Sequence, residues 1–256
     1  MENARNVIFG INPVLEILRA SPNDVSEILI AEKPARSALS AIADEAKRHG
    51  RRVIHAPPSL LNRLTHGQKH QGVIARVAPY RYLEFADLPQ SLSSAAGPQW
   101  IMILDGLTDP RNFGALLRTA EAVGIQNIVI PKDRSVDVTP TVVKASAGAI
   151  YHLKIYKATN LRRAVLTLKE HGFWVVGLDR HSEVGINDPL YPEKLGIVLG
   201  SEGKGIRPLV LRECDFVVSI PMLGKIASLN VGVAGAVFLY EILRQRQSID
   251  KLGAKG

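Results

Sequence analysis

The fold is decided by residues 197–240, which read IVLGSEGKGIRPLVLRECDFVVSIPMLGKIASLNVGVAGAVFLY. An apolar run at 197–199 predicts a buried strand, and a glycine-broken loop follows it. After a short helix come a second strand at 216–220, another loop and a long helix that we expect Ser228 to open as its N-cap. Both loops leave the carboxyl ends of apolar strands, which is the edge where ligands bind in an open α/β sheet.

The glycine loop differs from the loops that bind phosphate groups. A Walker loop requires Gly-Lys followed by Ser or Thr, but here Gly203 and Lys204 are followed by Gly205. The dinucleotide fingerprint also fails, and the carboxylate of Glu202 would repel a pyrophosphate. An acid in a glycine loop favours a cationic or hydroxyl-bearing ligand, but the loop by itself is equally consistent with a plain surface turn.

Apolar strands alternate with amphipathic helices throughout the second half of the chain. We predict strands at 101–105, 127–130, 153–156 and 173–178, and helices at 112–123, 140–149 and 161–171. Apolar strands separated by helices predict a parallel sheet covered by helices on both faces. The expected fold class is therefore α/β.

The first 78 residues predict a separate, small α/β unit. Strands are expected at 27–30, 52–55 and 73–77, with helices at 14–19, at 37–48 and after Pro57. Residues 79–98 mix proline, serine and small residues without a period, which predicts a linker. The second domain then covers residues 99–248, and residues 249–256 are expected to be a tail.

The charge balance indicates an anionic partner. The formal net charge is +8 and no basic amphipathic helix favours a membrane surface, so RNA or DNA is the expected partner. The candidate RNA-binding side chains are Lys47, Arg51, Arg52, Arg63, Lys69 and His70. The alternatives are a solvated helix end for Lys47 and a structural turn for His70.

Cysteine usage and the chain start bear on compartment. The single cysteine, Cys214, excludes an internal disulfide and a Cys-rich metal site, and no metal site is predicted. The polar start MENARNV is unlike a signal peptide, and no apolar run is long enough to span a membrane. These features make the cytoplasm the expected location.

Three motifs follow one another in the second half: DPRNFGALLRTAEAVG at 109–124, LGSEGKGI at 199–206 and IPMLGKIASLNVGVAGAV at 220–237. Together they closely resemble the SpoU (TrmH-type) branch of the SPOUT superfamily, whose members are S-adenosylmethionine-dependent RNA ribose 2′-O-methyltransferases. The resemblance covers about the last 155 residues. The N-terminal part, with VIFGINPVLEIL at 7–18 and KHQGVIARV at 69–77, resembles the RNA-binding domain of the RlmB-like members, which methylate a guanosine of bacterial large-subunit (23S) ribosomal RNA.

The resemblance implies S-adenosylmethionine as the cofactor and a C-terminal trefoil knot, which nothing in the residue spacing shows. It assigns the cofactor contacts to Leu199, Gly200, Ile220, Met222 and Leu229. These assignments fit an elementary expectation, because apolar side chains and glycine-flanked backbone hold an adenine ring well. It also suggests that the segment KASAGA at 144–149 helps to build the site.

A homodimer formed by the C-terminal domain is likewise implied by the resemblance. The last helix supports it, because its apolar residues cover more of the helix than packing on one sheet requires. Those residues are Val231, Val233, Ala234, Val237, Phe238, Tyr240 and Ile242. The other half of the chain's own sheet is an alternative cover for them.

The resemblance places the reaction at Asn112, Arg118, Glu202, Ser228 and Asn230. On one helix, Asn112 and Arg118 would lie about 120° out of alignment, so we expect Asn112 in the loop before the helix. Glu121 is expected to hold the Arg118 guanidinium, and the alternative is a surface salt bridge. Because a guanidinium hardly deprotonates, we expect Arg118 to stabilise the developing alkoxide, with phosphate or a nearby acid taking the proton.

The expected function is methylation of the ribose 2′-hydroxyl of a guanosine in large-subunit ribosomal RNA. The alternatives are a transfer-RNA ribose methyltransferase and a non-catalytic RNA-binding factor for ribosome assembly. The five polar residues of the reaction site argue against a non-catalytic factor, because a binding protein would not need all of them.

Overall fold

The structure is a computed structural model that describes residues 7–32, 38–92, 99–226 and 228–253. The chain forms two compact units. The first comprises Met1–Arg81 and Asp137–His152, and the second comprises Tyr82–Val136 and Leu153–Gly256. The expected end of the linker at residue 98 lies outside the described residues.

The helices and strands alternate along most of the chain. The helices are α1 (Ile11–Ala20), α2 (Ala38–Arg48), α3 (Pro58–Leu64), α4 (Leu88–Leu92), α5 (Pro110–Ala122), α6 (Pro140–Ala145), α7 (Leu161–Glu170), α8 (Pro208–Leu211) and α9 (Val231–Gly253). The strands are β1 (Val7–Phe9), β2 (Val25–Ala31), β3 (Arg52–Ala56), β4 (Val73–Val77), β5 (Leu83–Glu84), β6 (Gln99–Asp105), β7 (Asn127–Pro131), β8 (Lys154–Ala158), β9 (Trp174–Leu178), β10 (Lys194–Gly200) and β11 (Phe216–Val218).

The first unit contains a four-stranded sheet in the order β1-β4-β2-β3. β2 and β3 run parallel, whereas β4 is antiparallel to both β1 and β2. Its core includes Phe9, Leu29, Leu61 and Ile74, all buried. The three strands predicted here are present as β2, β3 and β4, while β1, only three residues long, is too short to give a periodic signal.

Residues 137–152 belong to the first unit although they follow β7 in sequence. The Lys144 ammonium lies 5.1 Å from the centre of the Phe9 ring, and His152 Nε2 lies 2.9 Å from a carboxylate oxygen of Glu16. The segment 144–149 therefore packs within the first unit. Its expected contribution to the reaction site stays a prediction.

The second unit contains a parallel seven-stranded sheet in the order β11-β9-β10-β6-β7-β8-β5. The middle of each central strand is apolar on both faces: Ile101, Ile103, Ile197 and Val198 are fully buried. Strands of this kind are stable only between two layers of helices. The predicted α/β class and parallel sheet are confirmed, and the trefoil knot stays a prediction.

The expected linker is partly structured. Residues 83–84 form β5, which pairs with β8, and residues 88–92 form α4. Leu88 and Leu92 are four residues apart, lie on one face of this helix and are buried in the core of the second unit. The proline and serine around them obscured this short apolar spacing in the sequence.

The last helix begins and ends differently from the prediction. α9 starts at Val231 with Asn230, not Ser228, accepting hydrogen bonds from its first free N–H groups. It continues to Gly253, into the segment expected to be a tail from residue 249. Phe238 is fully buried, whereas Val233, Val237 and Tyr240 are 50%, 41% and 53% exposed. Among the helices that the structure describes, none has the length and apolar character required to cross a membrane.

Candidate active site

The carboxyl ends of four neighbouring strands meet at one edge of the seven-stranded sheet. The register pairs Gly200 at the end of β10 with Asp105 at the end of β6, and Leu199 with Leu178 at the end of β9. Val218, the last residue of β11, also pairs with Leu178. The loops that follow these strands therefore start at the same level, as expected for parallel strands.

A cavity of about 390 Å³ opens between these loops. It is lined by all five residues predicted to contact the cofactor: Leu199, Gly200, Ile220, Met222 and Leu229. Three of the residues predicted for the reaction also line it, namely Glu202, Ser228 and Asn230. The structure thus brings together eight predicted site residues from three separate stretches of the chain.

A hydrogen-bond network joins the three motifs at the mouth of this cavity. Glu202 Oε1 accepts from Asn112 Nδ2 at 2.8 Å and from Asn230 Nδ2 at 2.7 Å, and the same Asn230 nitrogen lies 3.0 Å from Asn112 Oδ1. Glu202 Oε2 has no hydrogen-bond partner in the part of the chain that the structure describes. One carboxylate oxygen therefore fixes the network while the other can accept from a ligand.

Asn230 is oriented by the helix that follows it. Its Oδ1 accepts from the backbone N–H of Gly232 at 2.9 Å and of Val233 at 3.3 Å, which makes it the N-cap of α9. The oxygen must face these N–H groups, so the Nδ2 group must face Glu202. Capping and site geometry thus depend on opposite ends of one amide.

The glycine loop is fixed at both of its ends. Ser201 and Gly205 exchange two backbone hydrogen bonds of 2.9 and 3.1 Å, which closes the loop around Glu202. Asp105, whose side chain is fully buried, accepts from the Arg207 backbone N–H at 2.8 Å and from its Nε at 2.7 Å. Asp105 is not among the residues predicted for the site, although an acid at the end of an apolar strand is a readable signal.

A second cavity of about 180 Å³ adjoins the first. Its lining is Gly106, Leu107, Thr108, Asp109, Asn112, Ser201, Glu202 and Lys204. Ser201, Glu202 and Lys204 line both cavities, so they form the wall between them. The arrangement can place two ligands side by side with the Glu202 carboxylate and the Lys204 ammonium at their boundary.

Asn112 lies inside α5, not in the loop before it. Asp109 is the N-cap, and its Oδ1 accepts from the N–H groups of Arg111 and Asn112 at 2.6 and 3.0 Å. Arg118 therefore lies about 9 Å further along the same helix and about 120° around it from Asn112. It lines neither cavity, which corrects the expected arrangement of this pair.

The expected contact between Arg118 and Glu121 is absent. Both side chains are described and exposed, and no ion pair or hydrogen bond joins them. The Arg118 guanidinium makes no hydrogen bond to any residue in the described ranges. It is therefore available to an anion outside its own chain.

The residues of the large cavity that were not predicted from the sequence include three consecutive polar residues. Asp179, Arg180 and His181 follow β9 and line the cavity on the side away from β6. Their loop has no glycine motif and looks like an ordinary polar turn. The available signal was their position directly after the strand predicted at 173–178, which had to end at the same edge.

The predicted RNA-binding residues all lie in the first unit, and they differ in how freely their side chains could contact RNA. Lys47, Arg52, Arg63 and Lys69 are exposed. Arg51 instead donates to the carbonyl oxygen of His49 and to the side chain of Asn23.

His70 is also held by its own unit. Its Nδ1 accepts from the Gly72 N–H at 3.1 Å, which makes Nε2 the protonated nitrogen that contacts Asn62 Oδ1 at 3.1 Å. Burial lowers the pKa of His70 below its usual value of 6.5. A neutral imidazole that is already satisfied favours the structural alternative for this turn, and its RNA contact stays a prediction.

Known proteins share this fold and both sequence regions. Residues 99–240 match the family model described as the SpoU rRNA Methylase family, and residues 7–83 match the model described as RNA 2′-O ribose methyltransferase substrate binding. A Bacillus subtilis (strain 168) protein, YacO, whose name places it in the TrmH family of tRNA/rRNA methyltransferases, is 39% identical over 97% of this chain and 99% of its own.

Two solved structures show the same architecture. One is described as an RNA 2′-O ribose methyltransferase; its TM-score is 0.77 at 25% identity, over 96% of this chain and 90% of its own. The other is the SpoU methyltransferase AviRb from Streptomyces viridochromogenes in complex with AdoMet, with a TM-score of 0.77 at 23% identity, over 94% and 90%. The predicted resemblance to the SpoU (TrmH-type) methyltransferases is confirmed, the likeness to the RlmB-like members stays a prediction, and the chain belongs to the SpoU rRNA methylase family.

Proposed function

We propose that the protein transfers a methyl group from S-adenosylmethionine to the ribose 2′-hydroxyl of a guanosine in bacterial large-subunit ribosomal RNA, in the cytoplasm. The observation that supports this most is the pair of adjoining cavities whose shared wall holds the Asn112–Glu202–Asn230 network. A methyl transfer needs a donor and an acceptor side by side, and this edge of the sheet offers a separate space for each.

The large cavity fits S-adenosylmethionine. Its volume of about 390 Å³ lies within the usual range for small-molecule sites, and Leu178, Leu199, Ile220 and Leu229 offer apolar contacts to a flat ring. The Glu202 carboxylate lies at its mouth, which suits a positively charged ligand. When bound, this cofactor supplies a methyl group on a positively charged sulfur. AviRb was crystallised with the same compound, and this supports the assignment.

The small cavity is the proposed site of the acceptor ribose. Glu202 Oε2 would accept a hydrogen bond from a ribose hydroxyl, because its other oxygen is already held by two amides. The exposed Lys204 would attract the neighbouring phosphate. Ser228 lines the large cavity and is left without its predicted capping role, so its hydroxyl is proposed to contact a ligand.

Arg118 remains the proposed group that stabilises negative charge on the reacting oxygen. Since it lines neither cavity of its own chain, it would complete the site only with RNA or a second subunit in place. We propose a homodimer through α9, because its exposed Val233, Val237 and Tyr240 lie on one face, three and four residues apart. Phe238, also among the apolar residues of this helix, is fully buried within its own chain and is not part of this face.

The proposal is tested by mapping 2′-O-methyl groups in the ribosomal and transfer RNA of a strain that lacks the gene. We expect one large-subunit guanosine to lose its methyl group and to regain it when the wild-type gene, but not a Glu202→Gln gene, is restored. Loss at a transfer-RNA position would identify the alternative substrate. No loss in either RNA would contradict ribose methylation and favour a non-catalytic role.

A further inference from the structure

Asp179 places an unpartnered carboxylate oxygen in the large cavity. Its Oδ1 accepts from the His181 N–H at 2.8 Å, and its backbone N–H donates to the Val218 carbonyl oxygen at 2.9 Å. Its Oδ2 has no hydrogen bond or ion pair with any residue in the described ranges. In the described part of the chain, no ion pair joins Asp179 to the neighbouring Arg180, whose Nε donates to His181 Nε2. The Asp179 side chain is therefore fixed through Oδ1, while Oδ2 can still accept a hydrogen bond from a ligand.

The position of this carboxylate is defined by the glycine loop beside it. A methyl group built on Gly205 would lie 3.4 Å from Asp179 Oδ2, so the oxygen lies directly beside that loop. Asp179 itself is half-buried. A carboxylate in such a place is partly shielded from water, and a hydroxyl or N–H donor from a ligand would improve its hydrogen bonding.

The strand order separates Asp179 from the reaction end of the cavity. β10 lies between β6 and β9, so the loop after β9 is two strands, or about 10 Å, from the loop after β6. The network of Asn112 and Glu202 lies at the β6–β10 side. Asp179 lies at the opposite side, next to Leu178 and the apolar part of the lining.

We infer that Asp179 binds the ribose hydroxyl groups of the adenosyl part of the cofactor. This inference rests on the proposed function, which supplies the cofactor. An adenine ring belongs against the apolar side chains, and its ribose is attached directly to it and must lie nearby. Two adjacent hydroxyl groups can both donate hydrogen bonds to one carboxylate. The amino-acid part of the cofactor, with its own ammonium group, is the competing donor.

The inference is tested by calorimetric binding of S-adenosylhomocysteine and of its 2′-deoxy and 3′-deoxy analogues, without any methyl transfer. Asp179→Asn is the informative variant, since an amide oxygen still accepts from the His181 N–H while the negative charge is lost. We expect this variant to bind S-adenosylhomocysteine about ten- to a hundredfold more weakly, as for a lost charged hydrogen bond. The deoxy analogues should bind the wild type more weakly than S-adenosylhomocysteine does. This loss of affinity should be smaller in Asp179→Asn, because the substitution and the missing hydroxyl remove the same interaction.

A matched control is Asp188→Asn. Asp188 lies in the same β9–β10 connection and accepts from the Gly185 N–H at 2.6 Å, but it does not line the large cavity. This variant should bind all the analogues like the wild type. A second probe, 5′-methylthioadenosine, lacks the amino-acid part and should be weakened by Asp179→Asn as much as S-adenosylhomocysteine is.

Different results overturn different claims. Wild-type affinity in Asp179→Asn, or deoxy losses that are equal in both proteins, would overturn the inference and leave the proposed function intact. Weakened binding of S-adenosylhomocysteine but not of 5′-methylthioadenosine would show that Asp179 binds the ammonium group and would also overturn it. A wild-type protein that binds none of these compounds would overturn both the inference and the proposed cofactor.

Discussion

Asn230 performs two tasks with opposite ends of one amide, and substitution can separate them. Its Oδ1 caps α9, and its Nδ2 donates to Glu202 and to Asn112. Serine at this position keeps a capping oxygen and removes the Nδ2 donor, whereas alanine removes both. Asn230→Ser and Asn230→Ala should therefore differ in stability but not in catalysis.

The expected magnitudes follow from the contacts. Loss of the cap costs about 1 kcal/mol, so Asn230→Ala should unfold at a temperature roughly 2–4 °C below that of Asn230→Ser. Both variants leave Glu202 Oε1 with only the Asn112 donor, which lets the carboxylate move relative to the two cavities. A displacement of about 1 Å at a reacting group costs on the order of a hundredfold in rate, so kcat should fall by about that factor in both.

The assay combines calorimetric unfolding with single-turnover methylation of ribosomal RNA. Asn160 provides the matched control, since its Oδ1 caps α7 by accepting from the Arg163 N–H at 3.1 Å and it lines neither cavity of the site. Asn160→Ala should lose stability without losing activity. An active Asn230→Ser protein, with kcat near the wild-type value, would refute the role assigned to the Nδ2 group.

Four further predictions concern separate parts of the molecule. Arg118→Ala should lower kcat by about a hundredfold or more and leave S-adenosylhomocysteine affinity unchanged, whereas equal losses in both would indicate a structural role. Wild-type protein should sediment as a dimer at sub-micromolar concentration and roughly 0.5 M salt, where charged contacts are screened. The Val237→Asp variant should be a monomer with lower activity. A wild-type protein that is monomeric and fully active would contradict this prediction. Lys47→Glu and Arg52→Glu should each weaken RNA binding most strongly at low salt and leave cofactor binding unchanged, and a loss independent of salt would argue against phosphate contacts. Because burial lowers the pKa of His70, NMR titration of this residue should give a pKa below 6.5. The neutral imidazole then contributes fully to stability above pH 6.5, and this contribution is lost as the pH falls through the lowered pKa. A pKa at or above 6.5 would contradict the burial of this side chain.

The sequence predicted the central sheet, and the meeting of its loops at one edge, for a simple physical reason. The apolar runs that became β6 and β10 are buried on both faces, so they could only be central strands of a parallel sheet. Parallel strands end at one edge, which brings Glu202 near Asn112 although they are 90 residues apart in the chain. The motifs of the family resemblance then supplied the residues on those loops.

Other features of the site depended on contacts that no local pattern records. Ser228 and Asn230 are both good capping residues, and only the position of α9 decides that Asn230 is the cap. Asp179 stands in a loop without a motif, so only the neighbouring strand β10 shows that it lines the cavity.

The position of Asn112 inside α5 can be read from the sequence. Asp109 followed by Pro110 is a common helix start, with the acid as cap and proline in the first turn. This signal places Asn112 inside the helix and already separates it from Arg118.

The central claim is tested most directly by the purified protein, unmethylated large-subunit ribosomal RNA and S-adenosylmethionine with a deuterated methyl group. After digestion with a base-specific ribonuclease, mass spectrometry should find the label in one oligonucleotide, as 2′-O-methylguanosine, with wild-type protein and about a hundredfold less with Asn230→Ala. Label on a base, or label that is equal with Asn230→Ala, would contradict ribose methylation at this edge of the sheet.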